Sequence, residues 1–274
     1  MNFLESLLLG IVQGLTEFLP VSSSGHIELG KILLGVKVKD PLLFSIVVHA
    51  ATALSTIVIY WKDIVTIIRD FFRITWNPST RFVYYILISM IPVGLVGGLF
   101  EDQINALFEG KLLLVGCMLL LTGGLLWFSS RAKAMEGELT GIKAFIIGVA
   151  QAIAILPGIS RSGSTISTAL ILGVDREKAA RFSFLMVLPP ILGATAIKLY
   201  KYLKEPVEAT AAAGTEDVGL WVLVVGFVSA FVAGLLACQW MIRIVKRSKL
   251  DYFAIYCWIV GLIAIVGSFM VVAS

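Results

Sequence analysis

Charge is what this chain has least of. Only 15% of its 274 residues are Asp, Glu, Lys or Arg, 58% are hydrophobic, and the mean hydropathy is +0.95. A soluble domain of this length carries far more charged surface, so that class is excluded. Histidine is scarce, with two, and cysteine nearly so, with three. Cys117, Cys238 and Cys257 lie in apolar stretches without metal-ligand spacing, which argues against a zinc site and for packed free thiols. Met1 to Glu5 offers no basic residue, so a cleaved signal peptide is not expected. No low-complexity tract, soluble domain or nucleic-acid-binding patch interrupts the chain, and the net charge of +4 says little about partners.

What is present is apolar helix. Six stretches are long enough to span a bilayer, near residues 41–60, 82–100, 111–130, 178–200, 218–242 and 252–272. Two regions break the pattern. Residues 3–19 and 26–36 are apolar, but the second piece rises only about 15 Å as a helix. Between them lie Pro20, three serines, Gly25 and His26. Residues 141–156 and 163–174 repeat the arrangement around Pro157, Gly158 and Gly163. Such a break is tolerated at membrane depth only when buried in protein or lining a wet cavity.

The resemblance between these regions extends further. A shift of 138 carries Gln13 to Gln151, Ser22 to Ser160, and Ser24-Gly25 to Ser162-Gly163. It also carries Leu34-Gly35-Val36 to Leu172-Gly173-Val174 and Phe44-Ser45 to Phe182-Ser183. The expected fold is therefore an all-α polytopic membrane protein, one domain over 1–274, with repeats of about 1–137 and 138–274. Each half reads as one re-entrant helix pair plus three transmembrane helices. Three crossings are odd, so the second half must be inverted.

Charge orients it. One side holds Lys62, Arg69, Arg73, Arg81, Arg131, Lys133, Lys143, Arg176, Lys178, Arg181, Arg243, Lys246, Arg247 and Lys249. The other holds Lys31, Lys37, Lys39, Lys111, Lys198, Lys201 and Lys204. The richer side should be cytoplasmic, with both termini and the flexible-looking Ala209–Gly214 loop outside.

The polar cargo of the two breaks differs. Gln13 and Glu17 share a helix face, and Glu17 sits in an apolar segment where an ionisable group is costly and usually functional. A protonated Glu17 bonded to a neighbouring helix is the plainer alternative. Ser22-Ser23-Ser24-Gly25-His26 forms the first tip, where serines can cap a helix or the helix start can cradle an anion. His26 keeps company with Glu17 and these serines, whereas His49 stands apart and reads as structural. Arg161, between Ser160 and Ser162 with Thr165 one turn on, must find a partner in Glu17 or in a phosphate. A carboxylate beside a phosphate asks for a bridging cation, and Mg²⁺ or Ca²⁺ suits oxygen donors.

These residues resemble a known family. Gln13-Gly14-Leu15-Thr16-Glu17-Phe18-Leu19-Pro20-Val21-Ser22-Ser23-Ser24-Gly25-His26 is similar to the first signature of the bacterial undecaprenyl-diphosphate phosphatases, the BacA family linked to bacitracin resistance. Leu156-Pro157-Gly158-Ile159-Ser160-Arg161-Ser162-Gly163-Ser164-Thr165 is similar to the second. Phe182-Ser183-Phe184-Leu185 and Phe253-Ala254-Ile255-Tyr256 also resemble family segments, so the likeness covers essentially the whole chain. Two positions depart from it: Gln is expected near His49, and Arg where Cys257 stands.

The resemblance implies hydrolysis of undecaprenyl diphosphate to the monophosphate and inorganic phosphate, recycling the lipid carrier of cell-wall synthesis. The setting is the bacterial inner membrane, reached from the outer leaflet. The assignment that follows gives Glu17 and Gln13 the divalent metal, Ser23 the nucleophilic role and His26 that of its general base. Arg161 clamps the diphosphate, and Ser22, Ser160, Ser162 and Thr165 bind phosphate oxygens. His26 as nucleophile, or a metal-activated water, are rival chemistries. A lipid-phosphate transporter or flippase on the same repeat is the rival function. A C55 lipid diphosphate and membrane lipids are the expected partners, nucleic acid is not, and a homodimer is compatible.

The orientation has a direct test. In a cysteine-free background, Ala212→Cys should react with an impermeant thiol reagent added outside, and Met135→Cys should stay protected. The reverse pattern would invert the molecule.

Overall fold

The computed structural model describes residues 2–34, 41–73, 75–100, 103–104, 106–107, 111–133, 135–204 and 219–273. The Ala209–Gly214 loop, Lys37 and Lys39 lie outside the described residues. Among the described residues the chain is all helix, without a strand. Asn2 opens α1 (Phe3–Phe18) with a capping box: its side chain accepts from Glu5 N–H while the Glu5 carboxylate accepts from Asn2 N–H. Leu19 leaves α1 in an extended conformation, as a residue before proline must. After Pro20 the chain restarts as α2 (Ser23–Leu34).

The chain continues through α3 (Pro41–Ile59), α4 (Trp61–Phe71), α5 (Pro78–Leu99) and α6 (Leu112–Ser130). A second interrupted pair follows, α7 (Gly141–Ile153), capped by Thr140, and α8 (Arg161–Ile171), capped by Ser160. Then come α9 (Arg176–Met186), α10 (Leu188–Lys204), α11 (Leu220–Lys246) and α12 (Asp251–Ala273). The four short apolar arms thus end within a few residues of where the apolar runs put them.

Of the six expected spans, five stand on their own and the sixth depends on a bent pair. Among the described residues five segments are long and apolar enough to cross a membrane: α5, α6, the Arg176–Tyr200 stretch, α11 and α12. The 41–60 segment joins them only if α3 and α4, bent by 77°, count as one span. The 178–200 stretch is also broken, at Val187, just ahead of Pro189 and Pro190, which cannot continue a regular hydrogen-bond ladder. Large apolar side chains such as Phe128, Leu236 and Phe269 stay exposed on the outer faces of these helices, as lipid contact requires.

Small residues set the packing. α1 lies on α11 and α7 on α5, while α6 pairs with α12 and α3 with both α10 and α11. A methyl at Gly14 would stand 2.5 Å from Ala230 O, and one at Gly148 would stand 2.4 Å from Ser89 O and 2.8 Å from Ser89 Cα. Close backbone approach of this kind is how helices associate where lipid supplies no hydrophobic drive. On one face the basic residues meet acids from neighbouring segments: Arg181 Nε lies 2.7 Å from Asp63 Oδ1, Lys246 Nζ lies 3.0 Å from Glu177 Oε2, and Lys178 pairs with Glu138. These cations belong to the set that the charge pattern put on one side.

Glycines that touch and glycines that do not should behave differently. Gly148→Ala drives a methyl into fixed backbone and should cost about 1–3 kcal/mol. Gly124→Ala meets nothing within 4 Å, and should be neutral or stabilise by up to about 1 kcal/mol. Thermal unfolding in one detergent compares them; equal melting temperatures would refute the close-packing account.

Candidate active site

The two interrupted pairs meet at their breaks. A methyl at Gly25 would lie 3.5 Å from Gly158 Cα, and one at Gly163 would lie 3.2 Å from Pro20 Cβ. Gly158 has φ +95 and sits against Val115, whose carbonyl would be 2.6 Å from an added Cβ, so only glycine fits there. Thr122 of α6 fixes this break by accepting from Ser160 N–H at 3.1 Å. Cys257 of α12 fixes the other, its thiol 3.5 Å from Pro20 O. Cys238 and Cys257 are buried free thiols, as expected, and Cys117 is half-buried.

Glu17 ends its apolar helix beside Arg161, and the two form an ion pair across the breaks. The Glu17 side chain is only 5% exposed and that of Arg161 28%. Glu17 Oε2 also accepts from Ser23 Oγ at 2.8 Å and from Gln13 Nε2 at 2.9 Å. Glu17, Ser23, Arg161 and Gln13 are therefore one cluster. Gln13, Glu17, Ser23, Ser160 and Arg161 line a cavity of about 560 Å³.

Other candidates sit differently. His26 does not bond Ser23: its Nδ1 faces Ser22 O at 2.9 Å and its Nε2 faces the Tyr256 hydroxyl at 2.8 Å, with the two rings stacked. The imidazole that the sequence reading assigns to Ser23 is thus hydrogen-bonded elsewhere, and the Ser23 hydroxyl donates to the Glu17 carboxylate instead. The reason is a residue 230 positions away that no local pattern reveals. Ser22 and Ser160 cap α2 and α8, accepting from Gly25 N–H at 3.3 Å and Gly163 N–H at 3.1 Å. Ser22 does so with φ +70, an uncommon conformation for a non-glycine residue. Ser162 donates to Leu19 O at 3.2 Å and Thr165 to Arg161 O at 2.9 Å. The first of these bonds ties the two breaks together, and the second lies within α8.

For a metal, the fit rests on oxygen donors. Gln13 Oε1 is buried without a hydrogen-bond partner, adjacent to the Glu17 carboxylate and Ser23 Oγ. No group of three or more His, Cys, Asp or Glu that could hold a metal occurs among the described residues. That donor set suits Mg²⁺, which takes one or two carboxylates and completes its shell with water and phosphate.

The sequence reading missed part of the cavity. His49, set aside as structural, lines it, as do Lys198, Thr195, Ser45 and Gln151. A signal existed: Ser45 and His49 are four apart, Thr195 and Lys198 three apart, each pair sharing a helix face inside an apolar run.

The family pattern described as Bacitracin resistance protein BacA matches residues 6–263. The chain belongs to this family. The undecaprenyl-diphosphatase of Bacteroides fragilis is 55% identical over 269 residues, covering 98% of this chain and 99% of that one. Those of Parabacteroides distasonis and Bacteroides thetaiotaomicron are each 53% identical, covering 97% of this chain and 98% and 99% of theirs. As a BacA protein the chain is a multi-pass membrane protein, and both helix breaks fall inside the matched region.

The Glu17–Arg161 pair gives a stability test. Arg161→Ala strands the buried Glu17 carboxylate and should cost about 3–5 kcal/mol, and Glu17→Ala, which strands the half-buried Arg161, should cost less. The double variant should lose less than their sum, with a coupling of about 1–3 kcal/mol. Four melting curves in one detergent measure it; additive losses would mean that the pair does not form in solution.

Proposed function

We propose that this chain is an undecaprenyl-diphosphate phosphatase of the membrane. The observation that carries the reading is the Ser23–Glu17–Arg161 cluster on a cavity large enough for a diphosphate headgroup. Relatives that match nearly end to end are named for that hydrolysis. A diphosphate entering the cavity offers Arg161 a better anion than Glu17, because the guanidinium fork binds phosphate bidentately. Glu17, released from Arg161, can accept the Ser23 proton. Ser23 Oγ attacks the terminal phosphorus, and the bond to the bridging oxygen breaks. That oxygen leaves with the electron pair on the lipid monophosphate, and water then hydrolyses the serine phosphate to inorganic phosphate. His26 can act as base only by giving up Tyr256, and it remains the rival for both proton transfer and nucleophile. Gln13 and Glu17 would hold a divalent cation, which when bound would neutralise phosphate charge.

The architecture in this reading is an inverted repeat of two re-entrant pairs. It is supported by exchanged packing: α1 of the first half lies on α11 of the second, and α7 of the second lies on α5 of the first. The cavity should open to the outer leaflet of the inner membrane. In the charge-derived topology it is lined by outward parts of α1, α2, α3 and α10, including Lys198 of the outward set. A flippase would use the same Arg161 but has no use for a hydroxyl held on a carboxylate.

Phosphate release from undecaprenyl diphosphate by purified protein in detergent tests the reading, since hydrolysis needs no second compartment. Ser23→Ala should abolish nearly all turnover, and Arg161→Lys, which keeps charge but loses the fork, should lose about 10³-fold or more. Phosphate label trapped on His26, or Ser23→Ala close to wild type, would overturn the serine mechanism. No release by the wild type would overturn the phosphatase.

A further inference from the structure

One wall of the cavity takes no part in the cluster just described. It is made by α3 and α10, which pack on one another. From α3 it presents Ser45 and His49, and from α10 Thr195 and Lys198. A hydroxyl, an imidazole, a hydroxyl and an ammonium on adjoining helix faces are a costly set to place in apolar spans. Helix-to-helix bonding does not account for them. His49 Nδ1 lies 2.8 Å from Ser45 O on its own helix, so that nitrogen carries the proton and donates there. Nε2 is left as the other polar edge of the ring. Lys198 has no hydrogen-bond or ion-pair partner among the described residues. It is exposed, whereas Glu17 is buried, so it stands nearer the opening of the cavity.

We propose that Lys198, with His49 and Thr195 beside it, is a second phosphoryl subsite that holds the lipid-bearing phosphate of the substrate. This rests on the phosphatase reading and deepens it. A diphosphate has two phosphoryl groups, and the Ser23–Arg161 cluster can work on only one. That cluster is buried, so it takes the terminal phosphate. The phosphate esterified to the lipid must lie towards the opening, because its C55 chain has to leave the cavity for the bilayer. The cation at that position is Lys198, a point charge that tolerates small shifts in headgroup placement. Thr195, one turn before it, supplies an O–H donor, and His49 supplies a second polar contact from the facing helix. The product monophosphate keeps the group that Lys198 holds, whereas inorganic phosphate does not. Lys198 is thus a specificity-determining residue.

That asymmetry is the test. Lys198→Ala should raise KM for undecaprenyl diphosphate about tenfold or more, as loss of a charge-assisted bond does, and change kcat by no more than about twofold. It should weaken binding of undecaprenyl monophosphate by a similar factor and leave inhibition by inorganic phosphate as in wild type. Lys198→Arg should restore most of the affinity. A melting temperature equal to wild type in detergent ties the effect to binding. Unchanged KM and unchanged monophosphate affinity in Lys198→Ala would overturn the proposal. So would weakened inhibition by inorganic phosphate alone, which would put Lys198 on the terminal group. The phosphatase reading fails separately: if the wild type released no phosphate, the affinity for lipid monophosphate, measured directly, would still read Lys198.

Discussion

A carboxylate and a guanidinium can both be held inside a membrane protein only if each neutralises the other or a ligand does so. Glu17 and Arg161 come from helices more than a hundred residues apart, and they meet where both helix pairs are interrupted. Much of the surrounding structure serves that meeting. Ser162 reaches across to Leu19 O, Gly163 lets Pro20 approach, and Thr122 and Cys257 fix the two breaks from α6 and α12. The glycines of α1 and α7 bring those arms against α11 and α5 at backbone distance. Without such close support, a charge pair at a helix break would admit water and lose the low dielectric that makes it selective.

The pair also explains how one scaffold carries an asymmetric reaction. The two breaks are built alike: a serine caps each restarting helix, and a buried glutamine stands on each first arm. The first residue after each cap differs. In α2 it is Ser23, the proposed nucleophile, and in α8 it is Arg161, the proposed clamp. Equivalent positions at two helix starts thus project an attacking group and an electrostatic partner towards one carboxylate. The two alike breaks provide the geometry, and the proposed chemistry comes from positions that differ between them, Ser23 against Arg161 and Glu17 against Ile155.

The apolar arms were readable from sequence because lipid imposes a strong, local rule: runs of apolar residues, interrupted only where protein surrounds the break. Glu17 and Arg161 were readable for the same reason, since a charge in such a run demands a partner. The interruption at Val187 was less so, because Pro189 and Pro190 also suit the start of a helix. That His49 and Lys198 line one cavity was not readable, because it depends on α3 packing against α10, a contact between elements more than a hundred residues apart. Tyr256, which holds His26, is hidden in the same way. Local composition shows that a polar residue is costly but not what it faces.

The serines show where that ambiguity ends. A hydroxyl has one donor and two acceptor sites, so capping a helix uses an acceptor and leaves the proton free. Ser160 accepts from Gly163 N–H and lines the cavity; its proton points to Ser162 Oγ at 3.3 Å, a long bond that it can exchange for a phosphate oxygen while still capping α8. Ser162 and Thr165 already spend their protons on the carbonyls of Leu19 and Arg161. Drawing them to a phosphate would break the Ser162 link between the two breaks and the Thr165 bond at the start of α8. Ser22 caps α2 in the same way but does not line the cavity, so of the four hydroxyls that sequence put forward as phosphate ligands Ser160 is the one whose structural duty and phosphate binding are compatible. Capping and recognition are not competing explanations there, because they use opposite ends of the same O–H group.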